Sequence, residues 1–180
     1  GTITAGSIGI WNFSSDRYSS VGKVGKISGG NISGSTAAIR LNDYDTTYLG
    51  TPSTTNKASV AVSGGNISGN LQINTHTEFS VTGGAFTDIA NAVKYAADGA
   101  TIKLAGDVSG SGIGAIVTKK LTLDLNGHSI KRIKETSDSN AVYPALYVNG
   151  GNLTLIDTSA AKTGAVKSVI TATTGASPYN

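Results

Sequence analysis

Acidic side chains are the groups of this chain that could support general acid–base chemistry, which usually needs two or more carboxylates held together. The eleven Asp and Glu residues are spread over 180 positions, and only Asp43 and Asp45 lie close together in sequence. Asp124, Asn126 and His128 occupy alternate positions, which would place them in one outward polar row. Carboxylates beside glycine turns usually accept hydrogen bonds from backbone N–H groups. We therefore interpret Asp124 as structural and predict no catalytic residue.

Metal binding has little support in the sequence. The run Asn42-Asp43-Tyr44-Asp45 offers oxygen ligands for calcium, but it lacks the central Gly and the distal Glu of a known calcium loop. An Asx-rich turn is therefore favoured. His76 and His128 show no metal-ligand spacing, and the chain has no cysteine for thiolate ligands, disulfides or nucleophilic catalysis. The sequence predicts neither a metal site nor a cofactor.

Aromatic side chains in polar sequence are the remaining groups with binding chemistry. Trp11, Phe13 and Tyr18 lie near the N-terminus, and Tyr44 and Tyr48 lie in a turn-rich segment. Such rings stack on sugars or anchor protein partners, although rings that shield the side of a repeat stack would give the same pattern. The predicted ligand-binding residues are Trp11, Tyr18, Tyr44, Tyr48, Asp43 and Asp45.

Four Gly-Gly pairs flanked by strand-forming residues indicate the elements that position these groups. The pairs are Gly29-Gly30, Gly64-Gly65, Gly83-Gly84 and Gly150-Gly151, at spacings of 35, 19 and 67 residues. Each copy predicts a strand end, a turn that needs positive φ, and a second strand. A unit this short cannot bury its apolar face alone, so the copies should stack as a parallel β-solenoid.

One amphipathic helix is predicted over residues 88–97. Its apolar face contains Ile89, Val93 and Ala97, and Gly99 can adopt the left-handed conformation that ends a helix. The surrounding sequence has strand periodicity. The helix should therefore cap one end of a stack, because terminal repeats need caps.

Strand patterns before and after this helix complete the coarse prediction. Leu104, Leu123 and Leu155 occupy inward positions of their strands and should stack as a ladder. Between Arg40 and Lys57 the strand pattern disappears, and we expect this segment to leave the stack as a loop.

Composition and charge exclude several classes of protein. The chain has 24 Gly and only 14% charged residues, which suits strands and turns better than helices. The net charge of +3 is scattered, apart from Lys119-Lys120 and Lys131-Arg132-Ile133-Lys134. We interpret these clusters as solvated turns or strand edges rather than a nucleic-acid surface. No stretch is apolar enough for a membrane span, and no signal-peptide pattern is present.

Residues 86–108 and 121–130 resemble right-handed parallel β-helices of the pectin-lyase-like superfamily. In those proteins a short amphipathic helix caps the open N-terminal end, followed by an Asp-Gly-x-Thr-Ile turn, which matches residues 98–102 here. The Gly-Gly copies resemble repeats of large bacterial surface proteins. The resemblance implies a fold that carries lyases, hydrolases, tailspikes and adhesins. Its enzymes use calcium-binding carboxylate clusters or closely placed Asp residues, which this sequence lacks.

These observations predict an all-β fold, a right-handed parallel β-helix with one short capping α-helix around residues 88–97. Residues 1–84 would close one β-helix, and residues 85–180 would open the next; a continuous stack with the helix on its side is the alternative. The predicted function is adhesion or display by a secreted or cell-surface bacterial module that binds a glycan or host surface protein. Neighbouring β-helix domains of a longer chain would be its other partners. A polysaccharide lyase or hydrolase fragment and a structural stalk are the alternatives.

Overall fold

The computed structural model of the protein describes residues 1–16, 20–21, 23–43, 51, 57–111, 114–135 and 144–171. Over these residues the chain is all-β, with mostly parallel strands and one short helix, α1 (Ile89–Lys94). No helix in these ranges is long and apolar enough to cross a membrane. The strands are β1 (Thr2–Ala5), β2 (Ile8–Ser15), β3 (Ser20–Val21), β4 (Lys23–Gly34), β5 (Ala37–Asp43), β6 (Ser59–Ser68), β7 (Leu71–Ile73), β8 (Glu78–Val81), β9 (Ala85–Phe86), β10 (Ala100–Leu104), β11 (Val108–Gly110), β12 (Ala115–Val117), β13 (Lys120–Asp124), β14 (Ser129–Glu135), β15 (Leu146–Val148), β16 (Asn152–Ile156) and β17 (Ala165–Thr171).

Many of these strands belong to one parallel sheet, which we call the main sheet. Its strands follow the order β1, β4, β6, β9, β10, β13 and β16, and β8 also pairs with β6. Side chains at matching positions of parallel neighbours form rows across the sheet. One inward row contains Ile32, Ile67, Phe86 and Leu104, which are all buried in one continuous hydrophobic core.

Three smaller sheets surround the same core. The second sheet has the order β3, β2, β5 and β7, the third has β11, β14 and β17, and the fourth pairs β12 with β15. Their strand pairs are parallel, except that β2 and β3 are antiparallel. Buried residues of these sheets, including Ile39, Ile130 and Val117, join the core of the main sheet. The arrangement is compatible with a parallel β-solenoid.

The predicted leucine ladder is only partly correct. Leu123 pairs with Leu155 on one side and with Ile102 on the other, whereas Leu104 pairs with Phe86 in a different row. The inward positions of Ile102, Leu104 and Leu123 were predicted correctly, but Asp124, which was predicted to face outward, is buried. The turns between strands set the register. Leu155 is 46% exposed although Leu123 is buried, because β16 has a neighbouring strand on only one side among the described residues.

The Gly-Gly pairs lie within strands of the main sheet or directly before them. Gly30, Gly65 and Gly84 have positive φ angles of 86°, 93° and 114°. They stack closely, since a Cβ on Gly65 would lie 2.9 Å from the carbonyl oxygen of Gly30. The first two pairs lie inside the continuous strands β4 and β6, which corrects the prediction of a turn between two strands. In the fourth pair the first glycine, Gly150, has the positive φ.

Helix α1 lies at the edge of the second sheet. Asp88 accepts a hydrogen bond of 3.2 Å from the N–H of Asn91, which caps the helix, and one of 2.8 Å from the N–H of Leu71 in β7. The Asn91 side-chain amide donates to the Leu71 carbonyl oxygen at 3.2 Å. Asp88 and Asn91 therefore satisfy the N–H and C=O groups of Leu71 at the sheet edge, where a further strand would otherwise pair. Ile89 and Val93 are buried, as the predicted apolar face requires.

The helix ends three residues earlier than predicted. The Val81 N–H donates to the Tyr95 carbonyl oxygen at 3.1 Å, and the Ala97 N–H donates to the Val81 carbonyl oxygen at 2.8 Å. These bonds form an isolated β-bridge between Ala96 and Val81 of β8 and prevent another helical turn. Ala97 is therefore outside the helix, which ends at Lys94.

The predicted boundary between residues 1–84 and 85–180 lies directly before β9. The main sheet crosses this position, because β9 pairs with β6 on one side and with β10 on the other. The smaller sheets change there: the second sheet uses only earlier strands, and the third and fourth use only later ones. The two halves thus share one sheet and one core, with α1 at the place where the smaller sheets change.

Candidate ligand-binding face

Two of the six predicted ligand-binding residues lie in the described part of the chain. Trp11 lies on β2 with 60% of its surface exposed, whereas Asp43 is buried at the end of β5. Because Asp43 pairs with Ser14 of β2, β5 continues into the segment that was predicted as a loop. The Asp43 carboxylate therefore faces the interior and not a ligand surface. The other four predicted residues, Tyr18, Tyr44, Asp45 and Tyr48, lie outside the described residues.

Strand pairing in the second sheet places polar side chains beside Trp11. Trp11 pairs with Arg40 of β5, and Arg40 pairs with Gln72 of β7. The Arg40 guanidinium lies 5.7 Å from the centroid of the Trp11 ring, which is within cation–π range. Its Nε donates a hydrogen bond of 2.6 Å to Oε1 of Gln72. The row presents an aromatic ring, a guanidinium and an amide on the outer side of the sheet.

A second row follows two residues further along the strands. Phe13 is 46% exposed and pairs with Asn42. Asn12 and Ser14 are buried, so the alternation of β2 turns Trp11 and Phe13 outward. The two rings follow each other at a spacing of about 6.6 Å along the strand. We call the surface formed by Trp11, Phe13, Arg40, Asn42 and Gln72 the aromatic face.

The aromatic face combines the groups that a sugar ring contacts. Aromatic rings pack against the apolar faces of sugars, and guanidinium and amide groups exchange hydrogen bonds with hydroxyls. Arg40 is already held by the Trp11 ring and by Gln72. Less side-chain entropy is therefore lost when a ligand binds.

Sequence patterns identified the rings of this face but missed its polar side chains. Arg40 lies between the buried residues Ile39 and Leu41, and this alternation was a usable signal that it faces outward. Its contact with Gln72 joins residues 32 positions apart. That neighbour follows from the register of β5 and β7, which no local pattern specifies.

Asp124 is the centre of a buried turn at the end of β13. Its Oδ1 accepts hydrogen bonds from the N–H of Asn126 at 3.0 Å and of Thr158 at 2.9 Å. Its Oδ2 accepts one of 2.5 Å from the Thr158 hydroxyl and lies 2.9 Å from Nζ of Lys103. Burial alone would raise the pKa of Asp124, but the Thr158, Lys103 and Asn126 donors hold that pKa well below its usual range. This geometry agrees with a structural role.

The predicted outward row of Asp124, Asn126 and His128 does not form. β13 ends at Asp124, and Asn126 has a φ of 50°, so the chain turns here instead of continuing as a strand. The Asn126 amide donates to the Leu104 carbonyl oxygen at 3.1 Å. Nδ1 of His128 lies 3.6 Å from Oδ1 of the exposed Asp107. The three side chains therefore have separate partners and do not share a site.

Asp157 stabilises the neighbouring turn in the same way. Its carboxylate accepts hydrogen bonds from the N–H groups of Gly127 at 2.9 Å, Ser159 at 3.0 Å and Gly164 at 2.7 Å. The Ser159 side chain and these backbone donors lower the pKa of Asp157 to about 2, against a smaller opposing effect of desolvation. Within the described ranges, no group of three or more His, Asp and Glu side chains could hold a metal ion.

No protein-family model matches this chain. No curated protein and no solved structure matches it either. The aromatic face and the Asp124 turn are therefore interpreted from their own geometry.

Proposed function

We propose that this chain is a carbohydrate-binding module of a secreted or cell-surface bacterial protein, built as a right-handed parallel β-helix of pectin-lyase-like type. The observation that carries the proposal is the exposed row of Trp11, Arg40 and Gln72. A ring beside a prearranged guanidinium and amide suits a sugar, which has an apolar face and a rim of hydroxyls. Arg40 adds positive charge, which favours an acidic sugar.

Binding without turnover is the function that the carboxylates support best. Asp124 is held by Thr158, Asn126 and Lys103. The Asp157 carboxylate accepts hydrogen bonds from backbone N–H groups. A lyase or hydrolase needs carboxylates that face the substrate. We expect no β-elimination absorbance and no release of reducing ends from pectin, with or without calcium. Turnover that Asp124→Asn abolishes would favour the enzyme.

The binding proposal is tested with a pair of aromatic variants. An array of neutral and acidic glycans first identifies a ligand, and calorimetry then measures its Kd. Trp11→Ala should weaken binding about fivefold, because stacking contributes on the order of 1 kcal/mol. Tyr147→Ala is the control, since Tyr147 is 45% exposed but lies on β15 of the fourth sheet.

Two outcomes of this experiment would contradict the proposal. Equal affinity of the Trp11→Ala variant and the wild-type protein would remove the aromatic face as the site. A double replacement of Tyr44 and Tyr48 by Ala would then test the other predicted aromatic residues. A protein that binds no glycan on the array would instead favour the structural stalk.

A further inference from the structure

Arg132 is a charged side chain in the interior of the protein. It lies on β14, where it pairs with Gly110 of β11 and Ser168 of β17. Ile130, which shares its side of the strand, is fully buried, and Arg132 itself is only 8% exposed. The cluster Lys131-Arg132-Ile133-Lys134 was predicted to be a solvated edge. That prediction is wrong for Arg132, because strand alternation turns it toward the core.

Nε of Arg132 is buried and lacks a hydrogen-bond partner, and no carboxylate in the part of the chain that the structure describes forms an ion pair with this guanidinium. Ion pairs among the described residues join Lys103 to Asp124 and His128 to Asp107. Burial lowers the pKa of Arg132 because desolvation disfavours the charged form, yet a guanidinium stays protonated in proteins. Among the described residues, this buried positive charge thus has no compensating anion.

Two glycines shape the space around this guanidinium. A Cβ on Gly110 would lie 2.7 Å from Nη1 of Arg132, and a Cβ on Gly114 would lie 2.9 Å from Nε. Neither glycine has positive φ, so close approach and not backbone conformation explains these two residues. Gly110 therefore packs directly against the Arg132 guanidinium, and Gly114 packs against both Nε of Arg132 and the carbonyl group of Ala145.

We propose that Arg132 forms an anion-binding site whose ligand is an oxyanion of the carboxylate or sulfate class. The planar fork of a guanidinium matches two oxygens of such a group, and a charged hydrogen bond in the interior is stronger than one in water. A buried charge without a partner destabilises the folded state, so an anion that pairs with it stabilises the protein. The site lies on the third sheet and is independent of the aromatic face on the second.

Free anions and acidic sugars both carry the carboxylate or sulfate oxygens that the Arg132 guanidinium would bind. A free carboxylate or sulfate contacts only the guanidinium. An acidic sugar also brings hydroxyls, which can reach polar groups such as the exposed Ser168 on the adjacent strand β17. A uronic acid should therefore bind more tightly than acetate if the ligand is a sugar.

Thermal unfolding of the intact chain tests the site. The midpoint is measured in chloride, acetate, sulfate and galacturonate at constant ionic strength. We expect at least one oxyanion to raise the midpoint in a saturable manner relative to chloride. Arg132→Met should abolish this rise. Arg132→Lys keeps the charge but loses the fork, and should weaken anion binding at least tenfold. Lys131→Met, at the exposed neighbouring position, should leave the rise unchanged.

Two results would overturn the anion site. One is a wild-type midpoint that responds to no oxyanion beyond the effect of chloride. The other is an equal response in Arg132→Met, or in Arg132→Lys if the Met variant does not fold. Galacturonate that binds more than tenfold tighter than acetate assigns an acidic sugar, and equal binding assigns a free anion. Trp11→Ala should retain the response, which separates this site from the proposed glycan face.

Discussion

A buried carboxylate such as Asp124 is tolerated only while donors surround it. Asn keeps the shape of Asp but removes the charge that pairs with Lys103 and presents an N–H₂ group to donors. We expect Asp124→Asn to lower the free energy of unfolding by about 3 kcal/mol in urea titrations. Asp107→Asn, at an exposed carboxylate, is the control and should change it by less than about 1 kcal/mol. Equal losses in the two variants would contradict the structural role of Asp124.

Acid should destabilise the protein through the carboxylates of Asp124 and Asp157. The pKa of Asp157 falls from its usual 3.8 to about 2 in the folded protein, and the pKa of Asp124 also lies well below its usual range. The unfolded chain therefore takes up these protons first as the pH falls. Their stabilisation is complete above about pH 4 and should be lost progressively toward pH ~2.

Urea midpoints measured across this acid range check the sign of the effect. The double variant with Asp124→Asn and Asp157→Asn should show a flatter profile than the wild-type protein. An acid slope that is unchanged in this variant would place the titrating groups elsewhere.

At the scale of elements, close stacking of the Gly-Gly pairs on one another explains why glycine recurs at these positions. Asn66 Nδ2 donates to Oδ1 of Asn31 at 2.9 Å, directly after the stacked glycines, so neighbouring strands also join through their side chains. Gly65→Ala would force positive φ on a residue with a Cβ and push that Cβ against Gly30. We expect this variant to lose about 2 kcal/mol of stability in urea titrations.

Gly29→Ala is the matched control for this substitution. A Cβ at Gly29 meets no atom within 4 Å, although Gly29 belongs to the same kind of pair. The Gly29→Ala variant should therefore be about as stable as the wild-type protein. A Gly65→Ala variant as stable as Gly29→Ala would show that stacking at these turns is looser than the structure indicates.

At the scale of the whole molecule, the inward row of the main sheet is less buried at its last strand, β16, than at β13. Leu123 has Ile102 and Leu155 as row neighbours, whereas Leu155 has only Leu123 among the described residues. Leu123→Ala should therefore cost about 3 kcal/mol, and Leu155→Ala about 1 kcal/mol or less. Chemical unfolding of the isolated chain measures both values. A loss of unfolding free energy in Leu155→Ala as large as that in Leu123→Ala would show that the Leu155 side chain on β16 is buried by further residues.

Local sequence patterns were sufficient for the all-β class, for the existence of α1 and for the inward positions of Ile102, Leu104 and Leu123. These features depend on residues only a few positions apart, such as Ile89 and Val93 in the helix or Leu121 and Leu123 in β13. The outward position of Trp11 has the same local origin. For the candidate site, the sequence therefore identified the exposed ring but not its neighbours.

Tertiary structure alone decided the register, the end of the helix and the composition of the candidate sites. Backbone pairing across tens of residues places Arg40 and Gln72 beside Trp11, and pairing with Val81 stops the helix at Lys94. It also buries Asp43 and turns Arg132 inward. A shift of one residue in a strand exchanges its two faces, and the turns that set this register have no periodic signal. The neighbours of a polar side chain therefore follow from strand pairing and not from its local sequence.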